Sequence, residues 1–158
     1  MEDQEAAAPV LESENSEDEA TLEMTEDEAM KKIAEDSKEF FGVRSLDEAE
    51  VYFTTLSPVH HFRLVQTLAS SAVEDKESEA QLVANFFYRA ASKKLCAAAA
   101  FEDGFLPISE SIDDIAIDAP KAFPLFAIMV KGAGLDEERR TRLASNSVDS
   151  DKLLALLS

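Results

Sequence analysis

The sequence predicts an all-α protein of antiparallel helical hairpins stacked as HEAT-like repeats, about seven helices in all. Apolar residues recur every three or four positions from Glu26 onward, and capping or breaking residues bound each stretch. No run alternates apolar and polar residues for long enough to make a strand. The stretches arrive in pairs, at residues 28–56, 58–91 and 96–132, before a shorter remainder. That spacing of roughly 35–40 residues lies close to the range of helical-hairpin repeats, although the same pattern is compatible with a globular bundle.

Each element has a local justification. The acidic Glu26-Asp27-Glu28 suits a helix N-terminus. Met30, Ile33, Ser37, Phe40 and Phe41 then form a helical stripe, with Gly42 as its left-handed stop. Ser45 and Glu48 have the spacing of a reciprocal capping box, and Ala49, Tyr52, Phe53 and Leu56 are the expected buried face of the second helix. Pro58 opens the third, which carries Val59, Phe62, Val65, Leu68 and Ala69. Ala80, Val83, Ala84, Phe87 and Ala91 mark the fourth. Phe101, Phe105, Ile108, Ile112 and Ile115 mark the fifth, where Gly104 and Pro107 predict a kink or irregular turn. A sixth helix holds Phe123, Phe126, Ala127, Met129 and Val130 and closes at Gly132 and Gly134. A seventh runs from acidic Asp136-Glu137-Glu138 to basic Arg139, Arg140 and Arg142, in keeping with its dipole. The terminal Lys-Leu-Leu-Ala-Leu-Leu-Ser is expected to pack on the core, since bare leucines would leave a sticky patch.

The 158 residues include 33 acidic and 15 basic side chains, a formal charge of −18. Twelve of the acids and none of the basic residues lie between Met1 and Glu28. Residues 1–25 therefore read as a disordered acidic tail or linker, in which Ser16, followed by Glu17, Asp18 and Glu19, could suit an acid-directed kinase. Residues 26–146 read as the helical-repeat domain and residues 147–158 as a C-terminal tail or short helix. A pI near 4.3 disfavours nucleic acid and anionic membranes as partners, and a basic protein surface suits it better. With no run of 18 apolar residues, no recognisable secretory signal and one cysteine, the expected location is the cytoplasm.

Catalytic signatures are scarce, and neither an enzyme nor a cofactor is expected. No glycine-rich phosphate loop is present. His60-His61 are adjacent on a helix, about 100° apart, which makes chelation awkward, so a structural role is expected for them. Cys96, beside Ala97–Ala100, reads as an inert, protonated thiol.

One stretch stands apart: Ser111-Ile112-Asp113-Asp114-Ile115-Ala116-Ile117-Asp118-Ala119-Pro120. Pro120 disfavours helical geometry at Ala119, which puts Asp118 in the turn between two helices, where it would cap the sixth. Asp114 has no such structural task. A compatible functional reading makes Asp114 and Asp118 a carboxylate pair on an exposed corner, spaced to grip an Arg or Lys of a partner.

The run SLDEAEVYFTTL-SPVHHFRLV, the Gly-Phe of FEDGF and the run DDIAIDAPKAFPLFAIMV resemble the MA-three domain. This atypical HEAT-repeat module occurs in the eukaryotic initiation factor 4G scaffold, the fungal type being the most similar, and in the programmed-cell-death-four inhibitor. Its most specific element, Asp-apolar-x-apolar-Asp-x-Pro, is matched from Asp114 to Pro120, and the resemblance spans roughly residues 27–145. Pro107 and the segment Ser92-Lys93-Lys94-Leu95 depart from the pattern. The resemblance implies a non-catalytic adaptor of translation initiation that binds the DEAD-box helicase initiation factor 4A through Asp114, Asp118 and Pro120. Other initiation factors are further candidate partners. It leaves open whether the helicase is promoted or inhibited. The competing readings are a generic helical-repeat adaptor and an RNA binder using Lys93, Lys94, Arg139, Arg140 and Arg142.

Overall fold

The computed structural model describes residues 24–158; the expected acidic tail and Ser16 lie outside the described residues. Eight α-helices follow in order: α1 (Glu26–Val43), α2 (Leu46–Thr54), α3 (His61–Val73), α4 (Glu77–Ser92), α5 (Ala98–Asp118), α6 (Ala122–Gly132), α7 (Glu137–Ser145) and α8 (Ser150–Leu157). A 3₁₀ turn, Pro58–His60, precedes α3, and no strand occurs among the described residues. The eighth helix is the leucine-rich C-terminal run, with Leu153 and Leu157 buried against the core.

Helices packed in sequence make four hairpins, and alternate helices make two layers. One layer stacks α1 on α3, α3 on α5 and α5 on α7; the other stacks α2 on α4, α4 on α6 and α6 on α8. This is a helical-hairpin repeat, with the most extensive interfaces at α3–α5 and α4–α6. A glycine sits at each of those two crossings. A Cβ on Gly104 would lie 2.7 Å from the Phe62 carbonyl oxygen and the Val65 side chain, and one on Gly132 would lie 2.6 Å from the Ala84 carbonyl oxygen. The missing side chains let the paired helices meet backbone to side chain.

Between the layers runs a chain of rings. Phe40 meets Phe86 at 5.1 Å, Phe87 meets Phe101 at 5.3 Å and Phe105 at 5.7 Å, and Phe105 meets Phe126 at 5.7 Å. The helical stripe in α4 includes Phe87 but omits Phe86, which is fully buried too. A helix in the middle of a stack touches neighbours on two sides, so its apolar arc is wider than one stripe.

Several local expectations are corrected. Met30 and Val59 are exposed rather than core. Val59 belongs to the 3₁₀ turn, whose period differs from that of α3, so His60 and His61 turn inward in its place. Gly42 does not stop α1, which continues to Val43; Arg44 takes the left-handed cap at φ 61°, its N–H donating to the Phe40 carbonyl at 2.9 Å. That conformation costs about 1–2 kcal/mol; the Arg44 guanidinium also meets both Glu79 carboxylate oxygens at 2.9 Å, linking the end of α1 to α4. The full reciprocal capping box forms at Thr25 and Glu28; Ser45 only accepts the Glu48 N–H, at 3.3 Å. Helix α5 runs through Pro107 without interruption. Pro107 lies on the exposed side, where water can reach the carbonyl it leaves without an N–H partner.

Both histidines have structural work. The His61 Nε2–H faces the Phe53 and Leu56 carbonyls at 2.8 and 3.0 Å, satisfying acceptors at the end of α2. His60 Nδ1 accepts from Arg63 Nε at 3.3 Å, which leaves Nε2–H to donate to the Met24 carbonyl at 3.1 Å.

Candidate functional site

The α5–α6 corner is built by a proline acting on one residue. Pro120 pushes Ala119 out of the helical region, to φ −125° and ψ 86°, and α5 ends immediately before it, at Asp118. Asp118 is therefore the last residue of α5 and not the N-cap of α6, as its sequence context predicted; Lys121 takes the cap position, with no side-chain bond. Helix α6 needs little capping. The Ala122 N–H donates to the Ala119 carbonyl at 2.9 Å, Pro124 has no N–H, and the Leu125 N–H reaches the Lys121 carbonyl at 3.0 Å.

With Asp118 on the helix, Asp114 and Asp118 are one turn apart on the same face. Both are exposed, and neither has a hydrogen-bond or ion-pair partner among the described residues. Two carboxylates at this spacing repel, and they sit at the negative end of a helix whose last turn holds no basic residue. Pro120 is exposed beside them. The corner is firm underneath: Ile112, Phe123 and Phe126 are buried, and Lys152 of α8 places its Nζ 4.3 Å above the Phe123 ring. Beside them stands an exposed apolar residue, Ile117, which falls off the stripe from Phe101 to Ile115 and which the reading of this stretch by its carboxylates passed over.

The other candidates are occupied or inert. Cys96 is buried, and desolvation pushes its thiol pKa up to about 12, far from a reactive thiolate. No group of three or more His, Cys, Asp or Glu side chains among the described residues could hold a metal ion. Arg142 donates to Glu102 at 2.7 and 2.9 Å and Arg139 donates to it at 2.6 Å. These bonds hold the Glu102 carboxyl below its ordinary pKa, the Arg142 contact having the largest effect. Lys93 meets Glu50 at 2.8 Å, and Arg140 donates to the Leu135 carbonyl. Four of the five basic residues considered for RNA thus already have partners inside the protein. No helix is long and apolar enough to cross a membrane among the described residues.

The described residues thus form a stack of helical hairpins, a repeat module, with an exposed acidic corner whose two carboxylates have no partner among them. The MA3 domain family model matches residues 29–135, about two thirds of the chain, and the chain belongs to that family of helical protein-interaction domains associated with translation. The match runs from the first turn of α1 to the loop before α7, so α7 and α8 lie beyond it. No curated protein and no solved structure matches the chain.

Proposed function

We propose that this domain is a non-catalytic adaptor of translation initiation, working in the cytoplasm, that docks a DEAD-box RNA helicase of the initiation factor 4A class. Asp114 and Asp118 are the residues that grip basic side chains of the helicase, and Pro120 fixes the corner that presents them. The observation that carries this reading is the pair of carboxylates left without a partner, one turn apart on the exposed end of α5, in a member of the MA3 family. A protein that binds differently to the open and closed forms of its partner shifts their populations, and by that route the adaptor modulates unwinding without a reaction of its own.

The test is calorimetric titration of purified initiation factor 4A with the wild-type chain and with an Asp114→Ala, Asp118→Ala double variant whose helicity is checked by circular dichroism. Saturable binding by the wild type, lost in the folded double variant, is the expected result. A wild-type chain that fails to bind at high concentration would refute the reading.

A further inference from the structure

The acidic pair shares its helix face with an apolar side chain. Ile117 stands three residues after Asp114 and one before Asp118, so all three lie within an arc of about 100° on the last turns of α5. Phe101, Phe105, Ile108 and Ile112 of the same helix are buried, whereas Ile117 is 76% exposed. A single exposed apolar residue ordinarily needs no explanation. This one sits where three local preferences are broken together. A β-branched side chain is a poorer helix former than alanine, and in solvent it gains no packing in return. Its two flanking carboxylates repel each other, and both oppose the helix dipole. Local rules broken together on one solvent-facing patch are expected where a surface is used rather than packed.

We propose that Ile117 is the apolar anchor of the docking surface, seating in a depression of the partner that is rimmed by Lys or Arg side chains reaching Asp114 and Asp118. The inference rests on the docking function proposed above and adds the polarity and shape of the complementary face. The occupant is a basic protein surface. Asp114 and Asp118 offer two uncompensated negative charges about 6 Å apart along the helix axis, a spacing two cationic side chains can straddle around an isoleucine. The two kinds of contact divide the work kinetically. Charges steer the encounter at long range, so their removal slows association and flattens its salt dependence. An apolar anchor acts only in contact, so its loss speeds dissociation and leaves the salt slope in place.

The experiment measures association and dissociation rates of the full chain with purified initiation factor 4A between about 50 and about 300 mM salt, with thermal melts of every variant. Ile117→Ser is expected to raise Kd about tenfold, mostly through dissociation, at an unchanged salt slope. Ile117→Leu, which keeps the apolar volume, is expected to return to within about threefold of wild type. Wild-type affinity in Ile117→Ser, beside lost affinity in the double aspartate variant, overturns the anchor and leaves the acidic docking site standing. An Ile117→Ser effect confined to association also overturns it. A wild-type chain that does not bind overturns the docking reading, and the anchor falls with it.

Discussion

Near the start of α5, Glu102 accepts hydrogen bonds from Arg139 and Arg142 at 2.6–2.9 Å and ties α5 to α7. Three to four turns further on, Asp114 and Asp118 accept from nothing among the described residues. The same chemical group on the same helix thus has opposite fates. Glu102 is mostly covered, its side chain 13% exposed, and its charge is used up within the fold. The aspartates lie at the helix end, where their charge works against the helix and remains available to a partner. In an acidic protein, the number of carboxylates therefore says little about where it binds; their place in the fold, covered and paired like Glu102 or exposed at a helix end like Asp114 and Asp118, says more.

The largest effect expected is on binding. Asp114→Ala with Asp118→Ala is predicted to weaken helicase binding by about 100-fold or more, since each lost charge-assisted contact costs on the order of 1.5–3 kcal/mol. Gly104→Ala attacks the close crossing of α5 on α3. Its Cβ would lie 2.7 Å from the α3 backbone, so chemical denaturation should show a loss of about 1–3 kcal/mol. Glu102→Gln attacks the paired end alone. A loss of about 1–2 kcal/mol in stability is expected, with helicase affinity within about twofold of wild type.

The paired end also carries a pH signature. Because the folded protein holds the Glu102 carboxyl below its ordinary value of 4.5, its contribution to stability is fully present above that value and is lost as pH falls through the lowered one. Acid unfolding of Glu102→Gln should lack this component. The smallest effect has the opposite sign. Asp118→Asn removes a charge that opposes the α5 dipole and repels Asp114, so the free domain should gain about 0.3–1 kcal/mol in thermal denaturation while its docking weakens. A destabilised Asp118→Asn variant would mean that the aspartate has a structural role that the structure does not show.

The hairpin architecture was legible because each helix carries its own apolar stripe, and the spacing of the pairs survives errors of a residue or two at their ends. The acidic corner was legible as a motif, but its geometry was misread. Among the residues before it, proline's steric restriction falls on Ala119, so α5 ends there and Asp118 stays on the helix. Val59 was misplaced because a 3₁₀ turn changes the phase of the stripe before α3 begins. The Glu102 clamp joins side chains 37 and 40 residues apart, and nothing local in the sequence marks that pairing. Ile117 lies two residues past Ile115 and off the stripe of α5, so the pattern left it unassigned, and its exposure in the fold places it on the surface.

The most direct test sets the two ends of α5 against each other in one assay. Purified initiation factor 4A is titrated with wild type, Asp114→Ala with Asp118→Ala, and Glu102→Gln, each confirmed as folded. The account predicts that the aspartate variant loses binding with no loss of stability, while Glu102→Gln loses stability at unchanged binding. Equal affinity for all three, or lost binding in Glu102→Gln alone, would contradict it.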